Sequence, residues 1–311
     1  MLYNKPPTTL DQQADLLVAR GMVCPDPDEV RRYLGAIGYY RLSAYWLPME
    51  TPATGDQVRS KAFKPGVNFN DVLAIYVFDR KLRLLVMEAI ERIEIQVRST
   101  WTNQMTLAHG PHAHLDPSLF VNGWEHAQMT ATLAKAVQES SETFIKHYLR
   151  KYKAPYMPPL WSVCETMTLG ALSKWVKSTK DNSVKQSVAR SLNLPTVEIL
   201  DGVLEALALV RNICAHHNRL WNRRLLKRIP NIKRLGADIV FEPTDPASDQ
   251  RQPQNLIYNV LVVILHVLQA QNTDSSYPER LRNLIDSVDD AQRAAMGFPQ
   301  DWRQRPVWSQ P

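Results

Sequence analysis

An arginine and a histidine separated by four residues, Arg211 and His216, stand in the stretch Arg211-Asn212-Ile213-Cys214-Ala215-His216-His217-Asn218-Arg219. A histidine exchanges protons near neutral pH. An arginine grips phosphate through a planar fork of donors. The surrounding charge points to the same class of ligand. No Asp or Glu lies between Glu205 and Asp238, while Arg211, Arg219, Arg223, Arg224, Lys227, Arg228, Lys233 and Arg234 all fall in that gap. These eight positive charges exceed the +6 net charge of the whole chain. A field of that sign attracts polyanions, so the residues suggest chemistry on RNA.

The element that must carry this pair is a helix following Pro195, with the proline in its first turn. Val197, Leu200, Leu204 and Leu207 recur at steps of three and four, and the seam continues to positions 211 and 214. Arg211 thus stands where an apolar residue is expected. An unpaired buried guanidinium would be costly, so it must face a carboxylate, a phosphate or a partner subunit. His216 lies about 140° around the helix from Arg211, whereas Asn212 and His216 share one face. Asp201 and Glu205, on that same side, are candidates to orient the imidazole.

The rest of the chain reads as helical almost throughout. Helices are predicted from the Thr8/Thr9 cap to Gly21, from Pro25–Glu29 to Gly38, and over the aromatic run Tyr39–Trp46. Residues 50–66, with Pro52, Gly55, Pro65 and Gly66, read as a loop. Asn70 is placed as the cap of a long helix over about 71–108, where Leu82, Val86, Ile90, Ile93, Val97 and Trp101 form one apolar stripe. Asp79–Arg83, Glu88–Arg92 and Glu94–Arg98 have the favourable acid-first spacing of four. Further helices are predicted at about 123–139, 141–152, 160–168, 170–178 and 182–191, and then at 254–271 and 277–288. Residues 229–253 read as a long loop, and Pro299–Pro311 as a frayed end. The expected organisation is an N-terminal helical region (1–66), a helical domain carrying the motif (67–290) and a flexible tail (291–311).

Composition narrows the class. With 44% hydrophobic and 22% charged residues the chain has the balance of a soluble globular protein. The three cysteines, Cys24, Cys164 and Cys214, form no Cys-x-x-Cys pair. That argues against a thiolate zinc site and for a reducing cytoplasm. The first residues lack the apolar core of a signal peptide, and the longest apolar stretch, Leu256–Leu268, is too short to span a bilayer. No glycine-rich phosphate loop is present. His109, His112 and His114, with Asp116, have a spacing that invites a metal, but they sit in a Gly/Pro-broken turn without cysteine. No metal or other cofactor is expected.

Beyond these residues, the chain resembles the Abi family of bacterial abortive-infection proteins, the AbiD/AbiF-like group. The resemblance rests on Tyr33–Trp46, Phe78–Leu85, Ala89–Glu94, Pro159-Leu160-Trp161, Leu169–Ser173 and His216–Arg223, which follow in order along the chain. Arg211–His216 also fits the Arg-x4-His signature of HEPN ribonucleases. The resemblance implies an all-α, HEPN-like helical bundle with an additional N-terminal helical region. It further implies a homodimer and metal-independent RNA cleavage. In that picture Arg211 stabilises the charged phosphorane-like state, His216 serves as general acid or base, and Asn212 orients a phosphate oxygen or the histidine. Arg219, Arg223, Arg224 and His217 would bind RNA around them. An abortive-infection toxin of this kind acts on its own cell, and an antitoxin protein or a small RNA is a candidate to keep it silent, though the residues identify neither.

Two other readings fit the same residues. One is a non-catalytic RNA-binding module using the basic face, with Trp221 interleaved. The other is a protein-interaction scaffold built on the long helix and the Tyr39/Tyr40/Tyr45/Trp46 cluster.

Overall fold

The thirteen positions 197 to 209 carry no proline, an acid in the first turn and an apolar seam, and they open the helix that ends in the Arg–His motif. A computed structural model of the chain describes residue 2 and residues 6–53, 58–243, 251–271 and 275–309. Among these residues the structure is all-helical, with isolated bridges such as Val23 with Asn68 and Glu50 with Phe63 but no strand. Two compact units are formed, Met1–Leu82 and Arg83–Pro311. The boundary falls inside the long helix, whereas the sequence sets off residues 1–66.

In the first unit, α1 (Leu10–Ala19) starts at a reciprocal capping box between Thr9 and Gln12. Asp26 accepts from the Asp28 and Glu29 amides to start α2 (Pro27–Ile37). Gly38, at φ 93°, turns the chain into α3 (Tyr39–Trp46). A bulkier residue would be strained in that left-handed conformation. Tyr45 and Trp46 are buried here, and the Tyr45 hydroxyl donates to the buried Asp79 carboxylate at 2.7 Å. Two of the four aromatic rings are therefore core, and Tyr39 is half-buried. Tyr40 alone of the four stands fully in solvent.

Helix α4 (Phe69–His109) begins in the first unit and continues through the second. Its cap differs from the expectation. Asn68, not Asn70, folds over the first turn, accepting from the Asn70 amide at 2.9 Å. All six members of the predicted stripe, from Leu82 to Trp101, are fully buried. The charged pairs fare differently. Glu94 and Arg98 meet at 2.7 Å. Glu88 instead takes Arg280, and Arg92 donates to Ser275. Asp79 and Arg83 are buried, not surface groups.

The second unit contains α5 (Gly123–Glu139), α6 (Thr143–Lys151), α7 (Leu160–Val163), α8 (Leu169–Ser178), α9 (Asn182–Ser191), α10 (Val197–Ala215), α11 (Ile257–Gln271), α12 (Tyr277–Asp286), α13 (Asp290–Ala294) and α14 (Pro306–Ser309). Thr196, rather than Pro195, marks the start of α10, its hydroxyl accepting from the Ile199 amide. Pro195 precedes the cap. Helix α10 packs against α8 and α9 and buries Leu200, Val203, Leu204, Leu207, Val210 and Cys214. Most of α11 is buried, and Asn259 within it holds the preceding loop. Its amide donates to the carbonyls of Val240 and Gln254 and its oxygen accepts from the Val240 amide.

The C-terminal end corrects the expectation of a frayed, flexible tail. Trp302, Val307 and Trp308 are buried, and Trp308 packs with Tyr258, Phe298 and Trp302. Asp238 then fixes the last turn, its carboxylate accepting from the Val307 amide at 2.8 Å. Aromatic area outweighs the proline- and glutamine-rich composition that suggested disorder. Trp308→Ala is expected to cost about 3–5 kcal/mol, measured as a shift in the denaturant midpoint. A frayed tail would leave the midpoint unchanged.

His114 gives a second test. It is fully buried with neither ring nitrogen hydrogen-bonded, and burial pushes its pKa down to about 3. The unfolded imidazole takes up its proton near the ordinary value of about 6.5. Stability is then fully present above pH 6.5 and is lost as pH falls towards 3. His114→Leu should flatten that loss in pH-dependent melting. An unchanged slope would contradict the burial of a neutral imidazole.

Candidate functional site

The last turn of α10 closes with a left-handed reversal. The His216 amide donates to the Asn212 carbonyl at 3.0 Å, the His217 amide to Cys214 at 3.0 Å and the Asn218 amide to Ile213 at 2.9 Å. This nested pair of bonds satisfies carbonyls that a helix end otherwise leaves open. The reversing residue is His217, at φ 57°. Glycine is the usual occupant of such a position, and a side chain there holds about 1–2 kcal/mol of backbone strain. Strain of this kind is found where the surrounding structure fixes a functional geometry.

Arg211 and Asn212 stand on the last turns of the helix, and His216 and His217 form its cap. Asn212, His216 and His217 are exposed, and Arg211 is half-buried. All of them belong to one helix end. Arg211 lines a depression of about 560 Å³ together with Glu91, Glu94 and Arg98 of α4. Asn212, one residue on, lines a different cavity of about 810 Å³ between α5 and α8. Successive helix positions point about 100° apart, so neighbours in sequence open to separate recesses.

The guanidinium in the apolar seam thus finds carboxylates, one of the three environments the sequence allowed. Burial pushes the Glu94 carboxyl above its usual range, opposed by the positive charges of Arg98 and Arg211. Arg98 is itself held by Glu94 at 2.7 Å, Glu165 at 3.1 Å and the Met167 carbonyl at 2.9 Å. Glu94 and Arg98 were legible only as a helix pair, and nothing in the sequence linked them to Arg211.

Asp201 and Glu205 do not orient His216. Glu205 takes Lys177 at 2.6 Å and Lys227 at 3.0 Å, which together hold its carboxyl below the usual range. Asp201 lies 4.0 Å from Lys185. The reason is axial: eleven residues of helix rise about 16 Å, too far for Glu205 to reach the imidazole.

The basic segment after the motif is partly tied down. Arg224 reaches Glu242 at 3.4 Å and Asn255 at 3.1 Å, and Arg223 donates to the Arg219 carbonyl at 3.4 Å. Arg219 and Arg223 are half-buried, and Arg224 is exposed. Trp221 is buried, its indole N–H donating to the Gln292 carbonyl at 3.2 Å. It anchors the segment and offers no face for stacking, contrary to the interleaved role the sequence suggested.

The histidines of the 109–114 turn are dispersed. His109 meets Asp181 at 2.9 Å, His112 lies 3.3 Å from the Tyr148 hydroxyl, and His114 is sealed in the core. Among the described residues no group of three or more His, Cys, Asp or Glu is placed to hold a metal. Among them, too, no helix is long and apolar enough to cross a membrane.

The strain at position 217 is testable without reference to function. His217→Gly and His217→Val both remove the imidazole, and they differ only in backbone freedom and β-branching. Thermal melts should place the glycine variant about 1–2 kcal/mol above the valine variant. Equal stability would contradict a left-handed residue at this cap.

Residues 32–222 match the model of the family described as Abi-like protein. The match covers more than half of the chain, and the chain belongs to this abortive-infection family. The matched span takes in Arg211, Asn212, His216, His217 and Arg219 and stops short of Arg223 and Arg224. No curated protein and no solved structure matches the chain.

Proposed function

We propose that this Abi-family chain is a metal-independent RNA endonuclease acting as an abortive-infection toxin, with a HEPN-like site at the end of α10. The observation that carries the reading is the exposure of Asn212 and His216 beside a half-buried Arg211 at one strained helix terminus. A register-pinning polar pair would be buried; these groups meet solvent and can meet substrate. Membership of an abortive-infection family supports the toxin role.

The chemistry follows from the side chains. His216 takes the proton of a ribose 2′-OH as general base, or protonates the departing 5′-oxygen as general acid. The 2′-oxygen forms a bond to phosphorus and the P–O5′ bond breaks. The products are a 2′,3′-cyclic phosphate and a 5′-OH. Arg211 stabilises the charge that accumulates on the phosphoryl oxygens, a contribution often the largest in such reactions. Asn212 orients a phosphate oxygen. Arg219, Arg223, Arg224 and His217 hold the flanking backbone. A second copy, as a homodimer, brings a second Arg211/His216 pair to a shared cleft, and an antitoxin protein or small RNA keeps it silent in the cytoplasm.

Purified protein is expected to cleave RNA in EDTA. His216→Ala and Arg211→Ala should each lower the rate by about 10²–10³-fold, in the range of a lost general acid–base or charge-stabilising group. DNA should resist for lack of the 2′-OH. Full activity in both variants would end the proposal. Salt-sensitive RNA binding with no product would instead favour a binding module on the same face.

A further inference from the structure

The cavity that Asn212 borders is larger than any contact with a phosphate requires. Its volume of about 810 Å³ lies in the range of about 300–1,000 Å³ typical of small-molecule sites. One wall is the face of α5 that presents Glu125, Gln128 and Thr132 at helical spacing. The opposite wall is α8, with Gly170 and Lys174. The floor is apolar, with Met129, Leu133 and Trp175 buried beneath it. An apolar floor flanked by a few convergent polar groups is the usual form of a recognition pocket.

The two walls carry opposite charges. Glu125 and Lys174 are exposed, and among the described residues neither makes an ion pair, although the Lys177 ammonium of α8, itself held by Glu205, also feels the Glu125 carboxylate. A carboxylate on one wall and an ammonium on the other match one nucleobase better than the rest. Guanine presents two donors on its pairing edge, N1–H and the 2-amino group, which a carboxylate accepts together. Its O6 and N7 are the acceptors that lysine takes. Adenine, cytosine and uracil each lack one half of that set.

We infer that the cavity between α5 and α8 is a guanine pocket for single-stranded RNA, with Glu125 and Lys174 reading the base. Asn212, the group proposed to orient a phosphate oxygen, also lines this cavity, so a base seated there carries its own phosphate to the last turn of α10. The inference rests on the RNA reading of the motif. It adds a sequence preference, cleavage beside guanosine, that the motif alone does not carry. Base recognition in unpaired RNA through pairing edges over an apolar surface is the common mode.

Binding separates this inference from catalysis. Oligouridylate hexamers fully 2′-O-methylated, so that none can be cleaved, and carrying one central guanine, inosine, adenine or cytosine are titrated by fluorescence polarisation. The guanine hexamer should bind at least about tenfold tighter than the adenine or cytosine hexamer, as expected of a two-point base contact. Inosine, lacking the 2-amino group, should fall between. Glu125→Gln should remove most of the guanine preference and leave adenine affinity unchanged. Gly170→Leu tests occupancy, because a Cβ built at Gly170 meets nothing nearer than the Thr168 hydroxyl at 3.9 Å. The side chain therefore extends into the cavity without straining the helix, and guanine preference should vanish. If Gly170→Leu fails a melting check, Glu125→Gln alone decides. Equal affinity for all four hexamers, no binding of any, or a guanine preference that survives Glu125→Gln would overturn the pocket. Loss of cleavage in His216→Ala is read separately on unmodified RNA. A guanine preference with no cleavage by the wild type sinks the nuclease and spares the pocket; cleavage without guanine preference does the reverse.

Discussion

The requirement that governs this molecule is that α10 must end in water. The helix buries nine of its residues against its neighbours. Its final carbonyls have no partners inside the helix, and leaving them unsatisfied in the core would cost several kcal/mol. The chain solves this with a left-handed reversal at His217, which folds the amides of His217 and Asn218 back onto Cys214 and Ile213. On that last turn Asn212 and His216 share the face in solvent, while Ile213 and Cys214 between them stay packed. A stable core helix and an accessible polar terminus are thus one structural fact.

Charge arrangement follows from that placement. Arg211 is set into the apolar seam, and the carboxylates of α4 keep it company. Farther on, Glu205 and Glu242 reach back to the basic segment through Lys227, Arg224 and Arg228. Exposed ion pairs of this kind are worth only about 0–1 kcal/mol each. A polyanion can replace such carboxylates at little cost, so a partly neutralised basic face is compatible with salt-sensitive phosphate binding. The Glu125/Lys174 cavity differs from that surface in having an apolar floor and opposite charges, outside any ion pair, on its two walls.

Much of the fold was legible because helical periodicity is a strong signal. The stripe from Leu82 to Trp101 is wholly buried, and α5 and α9 keep their expected limits. The differences share a cause: local chemistry in a sequence carries no information about tertiary partners. Asn70 and Pro195 looked like starts, yet Asn68 and Thr196 take those roles one or two residues away. The tail looked disordered by composition, but Trp302 and Trp308 find Tyr258 and Phe298. Asp201 and Glu205 share the angular face of His216 on α10 but lie too far along its axis to reach the imidazole. The site was visible as an Arg–His spacing, whereas Glu94, Arg98 and the cavity between α5 and α8 arise from helices brought together over long sequence separations.

The central claim is that the end of α10 activates a ribose 2′-hydroxyl against its own phosphodiester. The chemistry of the new RNA ends tests it most directly. Phosphorus NMR of products made by the wild-type protein in EDTA should show the resonance of a 2′,3′-cyclic phosphate, with 5′-hydroxyl termini opposite. Products bearing 5′-phosphate and 3′-hydroxyl ends would mean that water, not the ribose, attacks phosphorus, and would contradict the account.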